Sequence, residues 1–239
     1  IEHFNRKFVR PAAAIGIFDG VHLGHRKILK TAVREAARTL GTSVVVTFSP
    51  HPGRILKSIG APPLIISVKH RLNLIAAQGI DAAYVMNFTE AFARRGAREF
   101  VEETLVKKIG ARCVIIGRGF GFGRGKTGGI KLLKRMGKEF NFSVKDVPLL
   151  NIGGSGVSST KIRALITGGD FGAAQKLMGR RVAVLGTVVK GYGRGRIMGF
   201  PTANIDPHHE AIPPAGVYAV YVIFEKKRYK GVLNIGFRP

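Results

Sequence analysis

His22 and His25 stand on either side of Leu23-Gly24 at the end of G-I-F-D-G-V-H-L-G-H, Gly16 to His25. The apolar run before them reads as a buried strand ending at Phe18, Asp19 and Gly20 make a turn, and a helix follows. In an open parallel sheet, ligands bind beyond the carboxyl ends of the strands. A helix N-terminus placed there presents unpaired amides and the positive end of its dipole to a phosphate. Gly24, lacking a side chain, lets backbone approach that phosphate. Two imidazoles beside it can donate hydrogen bonds to charge developing on a phosphoryl group, which is electrostatic catalysis without a covalent intermediate. A chance pair of surface histidines is the plain alternative. The order strand, glycine turn, H-x-G-H, helix argues against it.

Other segments carry compatible chemistry. Ser158, Ser159 and Thr160 place hydroxyls at a helix start, with Lys161 and Arg163 within a turn. Such a cluster suits the β- and γ-phosphates of a nucleotide, although an ordinary Ser/Thr cap would look the same. His51 lies between two prolines on a stiff loop after a strand. The loop G-R-G-F-G-F-G-R-G-K-T-G-G, Gly117 to Gly129, invites comparison with a P-loop, but that pattern needs glycine where Phe120 stands. Its Arg118, Arg124 and Lys126 still add positive charge. Further on, Gly191, Gly193 and Gly195 interleave with Arg194 and Arg196 in a cationic flap whose amides could wrap a diphosphate. Thr202 and Asn204, two residues apart on one strand face, offer neutral oxygens. With ATP phosphates and water they could complete a Mg²⁺ shell, because Mg²⁺ needs few protein ligands.

These residues need elements to hold them. Ala12–Phe18, Ser43–Phe48, Ala82–Asn87, Arg112–Gly117 and Ser143–Val147 read as strands; Arg26–Leu40, Val68–Gln78, Ala97–Ile109 and Ile130–Lys138 read as helices. Near-continuous apolar strands alternating with helices predict a parallel sheet covered on both faces, an α/β fold. Short helices at Thr160–Thr167 and Phe171–Met178 follow. After Arg181 the pattern becomes β-rich, with strands at Val182–Val189, Val217–Phe224 and Tyr229–Asn234, Gly/Pro-rich turns and no helix, as at the start of a small β-barrel. The expected boundary gives one domain at 1–179 and a second at 180–239.

Composition narrows the function classes. The 239 residues carry 39 Lys and Arg against 14 Asp and Glu, a formal net charge of +25. A hydrophobic share of 45% supplies a core. The charge favours polyanionic partners, nucleotide phosphates or nucleic acid, over acidic proteins or carboxylate-rich metal cages. No RNA-reading motif, no Trp and 8% aromatics weaken the nucleic-acid reading. No apolar run approaches the ~18 residues needed to cross a bilayer, and no secretory leader is evident. The lone Cys113 forbids an internal disulfide and fits a cytoplasmic location.

The motifs, taken together and in order, resemble the bacterial bifunctional riboflavin kinase/FAD synthetase family. F-D-G-V-H-L-G-H resembles its nucleotidyltransferase signature, T-F-S-P-H-P at Thr47–Pro52 follows the second strand as in the family, and G-V-S-S-T-K-I-R at Gly156–Arg163 matches its S-S-T-x-I-R. G-D-F-G-A-A-Q-K-L-M-G-R at Gly169–Arg180 is similar to the helical linker between its modules. G-Y-G-R-G-R-I-M-G-F-P-T-A-N at Gly191–Asn204 and N-I-G-F-R-P at Asn234–Pro239 resemble the kinase module. The resemblance implies a Rossmann-like nucleotidyltransferase domain followed by an incomplete β-barrel. It implies transfer of AMP from Mg-ATP to FMN, giving FAD and pyrophosphate, and phosphorylation of riboflavin in the full-length protein. His22 and His25 would be catalytic, and Phe18, Asp19, Gly20, Gly24, His51, Ser158, Ser159, Thr160 and Arg163 would bind ATP. Asn87 and Phe120 would lie on the flavin side, and Thr202 and Asn204 would hold Mg²⁺ in the kinase. Gly119 replaces the acidic or amide residue of the family loop, removing one side-chain contact. The family's general-base Glu falls beyond Pro239, so the chain, which begins at Ile1 without Met, is expected to be part of a longer protein. An adenylyltransferase for another small phosphate, or a basic nucleic-acid-binding protein on the same fold, are the competing readings.

Overall fold

The computed structural model describes residues 8–56, 61–192, 194–197, 199–208 and 211–236. Its centre is a strand of small residues. β1 (Ala12–Ile15) is buried along its whole length and pairs in parallel on both sides, Ala12 facing Ser43 of β2 (Ser43–Ser49) and Cys113 of β4 (Cys113–Gly117). With β3 (Ala82–Asn87) and β5 (Ser143–Val147), the sheet runs β3-β2-β1-β4-β5. The connections leave β1 in one direction and reach β4 in the other, so the crevice expected of such sheets opens at the carboxyl ends of these two strands.

Apolar side chains on alternate sides of the strands build two cores. One face is covered by α1 (Leu23–Arg38), α3 (Val68–Ala76), α7 (Ser159–Thr167) and α8 (Phe171–Met178), which contribute Leu29, Ile75, Ile162 and Leu177. The other is covered by the helix that starts as α5 (Ala97–Phe100) and continues in π geometry over Val101–Ile109, and by α6 (Ile130–Glu139). Phe100, Leu105, Leu133 and Met136 fill that side. Each such side chain buried contributes about 1.5–3 kcal/mol. The doubly covered parallel sheet and most of its expected elements are present. Short elements the sequence pattern did not predict are α2 (Pro52–Ile55), α4 (Glu90–Ala93) and the hairpin of β6 (Asn151–Ile152) with β7 (Ser155–Gly156).

One boundary differs instructively. β1 stops at Ile15 instead of running to Phe18. Phe18 takes φ 56°, which turns its ring back under the strand end, where a Cβ on Gly16 would sit 3.0 Å from Phe18 Cζ. The apolar run is therefore continuous while the strand is not.

Beyond α8 every strand pairing is antiparallel among the described residues. β8 (Thr187–Val189) pairs with β9 (Asn204–Asp206), and β10 (Gly216–Phe224) pairs with β11 (Lys227–Ile235) through a two-residue turn. Both turn residues, Glu225 and Lys226, have positive φ, as a turn matching the strand twist requires. Two expectations need correction here. The stretch Val182–Gly186 is not strand, since only Thr187–Val189 finds a partner. Arg194–Ile197, read as helix-free loop, forms one helical turn, α9, whose Gly195 carbonyl accepts from the Phe200 amide at 2.7 Å. The β-rich part touches the sheet domain at specific points. Tyr218 packs edge-on against Phe171 at 5.6 Å, and the Ala211 amide donates to the Leu64 carbonyl at 2.9 Å.

Candidate active site

The loop from Gly16 to His22 carries the conformational strain. Phe18 and Val21 have positive φ, as does Gly20 at 81°, where a side chain would also press on Ile65. Strain of this kind persists only where surrounding contacts fix it, and here Asp19 supplies them. Its buried carboxylate accepts from the Ile65 and Ile66 amides and from an Arg163 guanidinium nitrogen at 3.1 Å, while its carbonyl accepts from Ser159 Oγ at 2.8 Å. Arg163 Nε also donates to the Pro63 carbonyl at 2.6 Å. Asp19 thus ties the starts of α1 and α7 together.

Both helices point their N-termini into this place. His22 is the N-cap of α1, its Nδ1 accepting from the His25 amide at 3.2 Å, which leaves the proton on Nε2. The two rings stack at 3.5 Å, and Phe18 meets His25 edge-on at 5.3 Å. A side chain at Gly24 would approach the His22 ring at 3.2 Å. Ser158 caps α7 by accepting from the Lys161 amide at 3.3 Å, and Thr160 is exposed on its first turn. Burial, then the nearby Arg180 charge, lowers His22 to about 4. Burial, then His22 and Arg71, holds His25 well below the ordinary imidazole range. At neutral pH both rings are neutral donors.

His51 caps α2 through Nδ1, which accepts from the Gly53 amide at 3.0 Å. Burial lowers its pKa; Asp19 opposes this, and Arg163, Arg71 and Arg54 add to it. His51 therefore shares the electrostatic neighbourhood of the histidine pair. Asn87 closes β3 opposite Ser49, at the rim of the same sheet edge. Phe120 stacks on Phe122 at 6.0 Å and packs on the apolar core of the opposite face.

Three arginines escaped the sequence reading. Arg71 donates to the carbonyls of Ile17 and Phe48, both at 2.8 Å, holding the ends of β1 and β2. Its signal was available, because Arg71 lies one turn from Ile75 on the buried face of a predicted helix. Arg26 and Arg180 stand at the first turn of α1. Arg180 closes the linker-like segment, but only the packing of the end of α8 on α1 brings the two arginines together.

The second constellation assembles in part. Gly191, Thr202 and Asn204 line a cavity of about 310 Å³ with Val188, Lys190 and Pro201. A side chain on Gly191 would collide with the Asn204 amide, and one on Gly195 with the Phe200 carbonyl near Thr202 Oγ1. Gly193 and the side chains of Arg194 and Arg196 lie outside the described residues. Lys190 is a cation on the cavity wall that the motif reading passed over.

A family profile described as FAD synthetase matches residues 5–161, and one described as riboflavin kinase matches 178–239. The bifunctional riboflavin kinase/FMN adenylyltransferase of Buchnera aphidicola subsp. Schizaphis graminum is 34% identical over 230 residues, covering 95% of this chain and 74% of the relative. That of Escherichia coli K12 is 34% identical over 226 residues, 94% and 72% respectively, and that of Haemophilus influenzae 32% over 240, 100% and 78%. A crystal structure described as a macrolide-efflux protein from Streptococcus pneumoniae matches with a TM-score of 0.79 at 30% identity, over 95% of this chain and 74% of that one. Among the described residues no helix is long and apolar enough to cross a membrane. The chain belongs to the bifunctional riboflavin kinase/FMN adenylyltransferase family.

Proposed function

We propose that the sheet domain makes FAD. A phosphate oxygen of FMN attacks the α-phosphorus of ATP; the bond from that phosphorus to the bridging oxygen of the β-phosphate breaks, and pyrophosphate leaves with the electron pair. The observation that carries this reading is the stacked, neutral His22–His25 pair at the start of α1, with the start of α7 drawn against it through Asp19. In-line transfer needs charge stabilisation on the phosphoryl oxygens more than a base. Nε2–H of His22 and the amides of the α1 start supply it, with Gly24 leaving room. Phe18, Asp19 and Gly20 shape the loop, and His51, Ser158, Ser159, Thr160 and Arg163 complete the ATP side. We assign the flavin to the side of Asn87 and Phe120. Replacing His25 by Ala should cut FAD formation from FMN and ATP by ~10²-fold or more. Undiminished synthesis would overturn the assignment.

We assign riboflavin phosphorylation to the β-rich part, with functional units at 1–179 and 180–239. Gly191, Gly193, Gly195, Arg194 and Arg196 would form its phosphate flap. Thr202 and Asn204 fit a Mg²⁺ that is held largely by substrate, since both line the cavity beside Gly191 and bring neutral oxygens with no carboxylate in the motif. Bound there, Mg²⁺ would neutralise charge on the ATP phosphates. We place the protein in the cytoplasm, in keeping with the free thiol of Cys113.

A further inference from the structure

Arg180 follows Gly179, the left-handed residue that ends α8. Gly179 rests directly on the first turn of α1. A side chain there would strike Leu23, and its carbonyl accepts from Arg26 Nη1 at 3.5 Å. Arg180 thereby comes into the electrostatic field of His22, lowering it, and into that of Arg26. All three guanidinium nitrogens of Arg180 are shielded from solvent, and so is Nε of Arg26; among the described residues none of these four atoms has a hydrogen-bond partner. Neither arginine takes part in an ion pair there. A guanidinium whose three nitrogens are all shielded and unpartnered among the described residues, with a second, half-buried arginine beside it, is costly to the fold. A planar fork of N–H donors is matched by phosphate oxygens.

We propose that Arg180, with Arg26, is the binding site for the β- and γ-phosphates of ATP, and so for the departing pyrophosphate. This rests on the FAD-synthesis reading for its biological ligand, and it adds something that reading lacks. The FAD synthetase profile ends at residue 161, and Arg180 belongs by sequence to the stretch matched by the riboflavin kinase profile, which starts at 178. The adenylyl-transfer site therefore borrows a residue from beyond its own module, and a fragment ending before Arg180 would keep the histidines but hold the triphosphate poorly. Burial and Arg26 depress Arg180 to about 10, so the guanidinium is still charged at neutral pH, and a bound anion restores its ordinary affinity for the proton.

The test is the variant Arg180→Met in the whole chain, titrated by calorimetry with inorganic pyrophosphate, ATP and AMP. Expected are a loss of at least 10-fold in affinity for pyrophosphate and ATP, a change under 3-fold for AMP, and a higher melting temperature for the ligand-free variant, because an unpaired buried cation has gone. Arg180→Lys, keeping the charge without the fork, should fall between. A merely structural arginine would lower the melting temperature and leave pyrophosphate affinity intact. Unchanged pyrophosphate affinity in Arg180→Met overturns the proposal. Pyrophosphate binding is read without catalysis, so an absence of FAD synthesis in the unaltered chain would overturn the functional reading and leave this site standing or falling on its own titration.

Discussion

A buried imidazole that must stay neutral ties stability to pH. His22 is lowered to about 4 in the folded chain, against an ordinary value near 6.5. Above pH 6.5 the ring is neutral in both states and contributes no pH dependence. As pH falls below 6.5, the unfolded chain takes up the proton and the folded one does not, so stability declines until about pH 4. From pH 7 to pH 5 this amounts to about 2 kcal/mol from His22 alone, with His25 adding in the same direction. Urea unfolding at the two pH values should show the decline, and His22→Asn should flatten it, since Asn still caps α1 but does not titrate. A midpoint that rises toward pH 5 would contradict the burial-driven shift. The pair itself was legible in the sequence, because strand, turn and H-x-G-H already place both rings at a helix start. Arg180 was not. Its lack of a partner among the described residues is a property of what packs around it, and a sequence records neighbours only along the chain.

Gly179 decides how two helices meet. It ends α8 with φ 65° and lies where any side chain would enter the volume of Leu23 on α1. Gly179→Ala should therefore cost about 2 kcal/mol or more, from left-handed backbone and overpacking together. Thermal unfolding should show a melting temperature lower by roughly 5 °C or more. The same substitution should displace Arg180 and weaken pyrophosphate binding. The Asp19 clasp gives a second test at this level. Asp19→Ala removes the carboxylate that takes two amides and Arg163, leaving Arg163 nearly buried without its partner. Loss of about 3 kcal/mol is expected by denaturant unfolding, and FAD synthesis should fall with the loosening of α7. The sheet and its helices were readable from apolar periodicity, and their ends were less so. β1 ends early because Phe18 turns back into the core, and α1 starts early because His22 caps it. Both are side-chain events that hydropathy does not encode.

The whole molecule carries +25 charges with few carboxylates to answer them. Self-repulsion of this size destabilises the compact state, and salt screens it over roughly 10 Å at 0.1 M. The melting temperature should rise between 0.01 and 0.3 M NaCl, while the KM for ATP increases as the same salt weakens phosphate attraction. A flat response would mean that the charges are spaced beyond mutual reach. The antiparallel character of the second part was legible. Its docking was not, since the edge-on meeting of Tyr218 with Phe171 and the bond from Ala211 to Leu64 join segments far apart in sequence. The place of β1 in the sheet also sets a schedule for biosynthesis. The central strand and the histidine pair leave the ribosome before the rest of the sheet domain, yet β4, α7 and Arg180, which complete their surroundings, are encoded up to residue 180. At ~5–20 residues per second, roughly 10–30 s separate the making of the histidines from the arrival of their last neighbour. For the first part of that interval, until β4 is made, the central strand has no neighbour on that side, so the nascent chain needs shelter while its chemistry is already written but cannot yet operate.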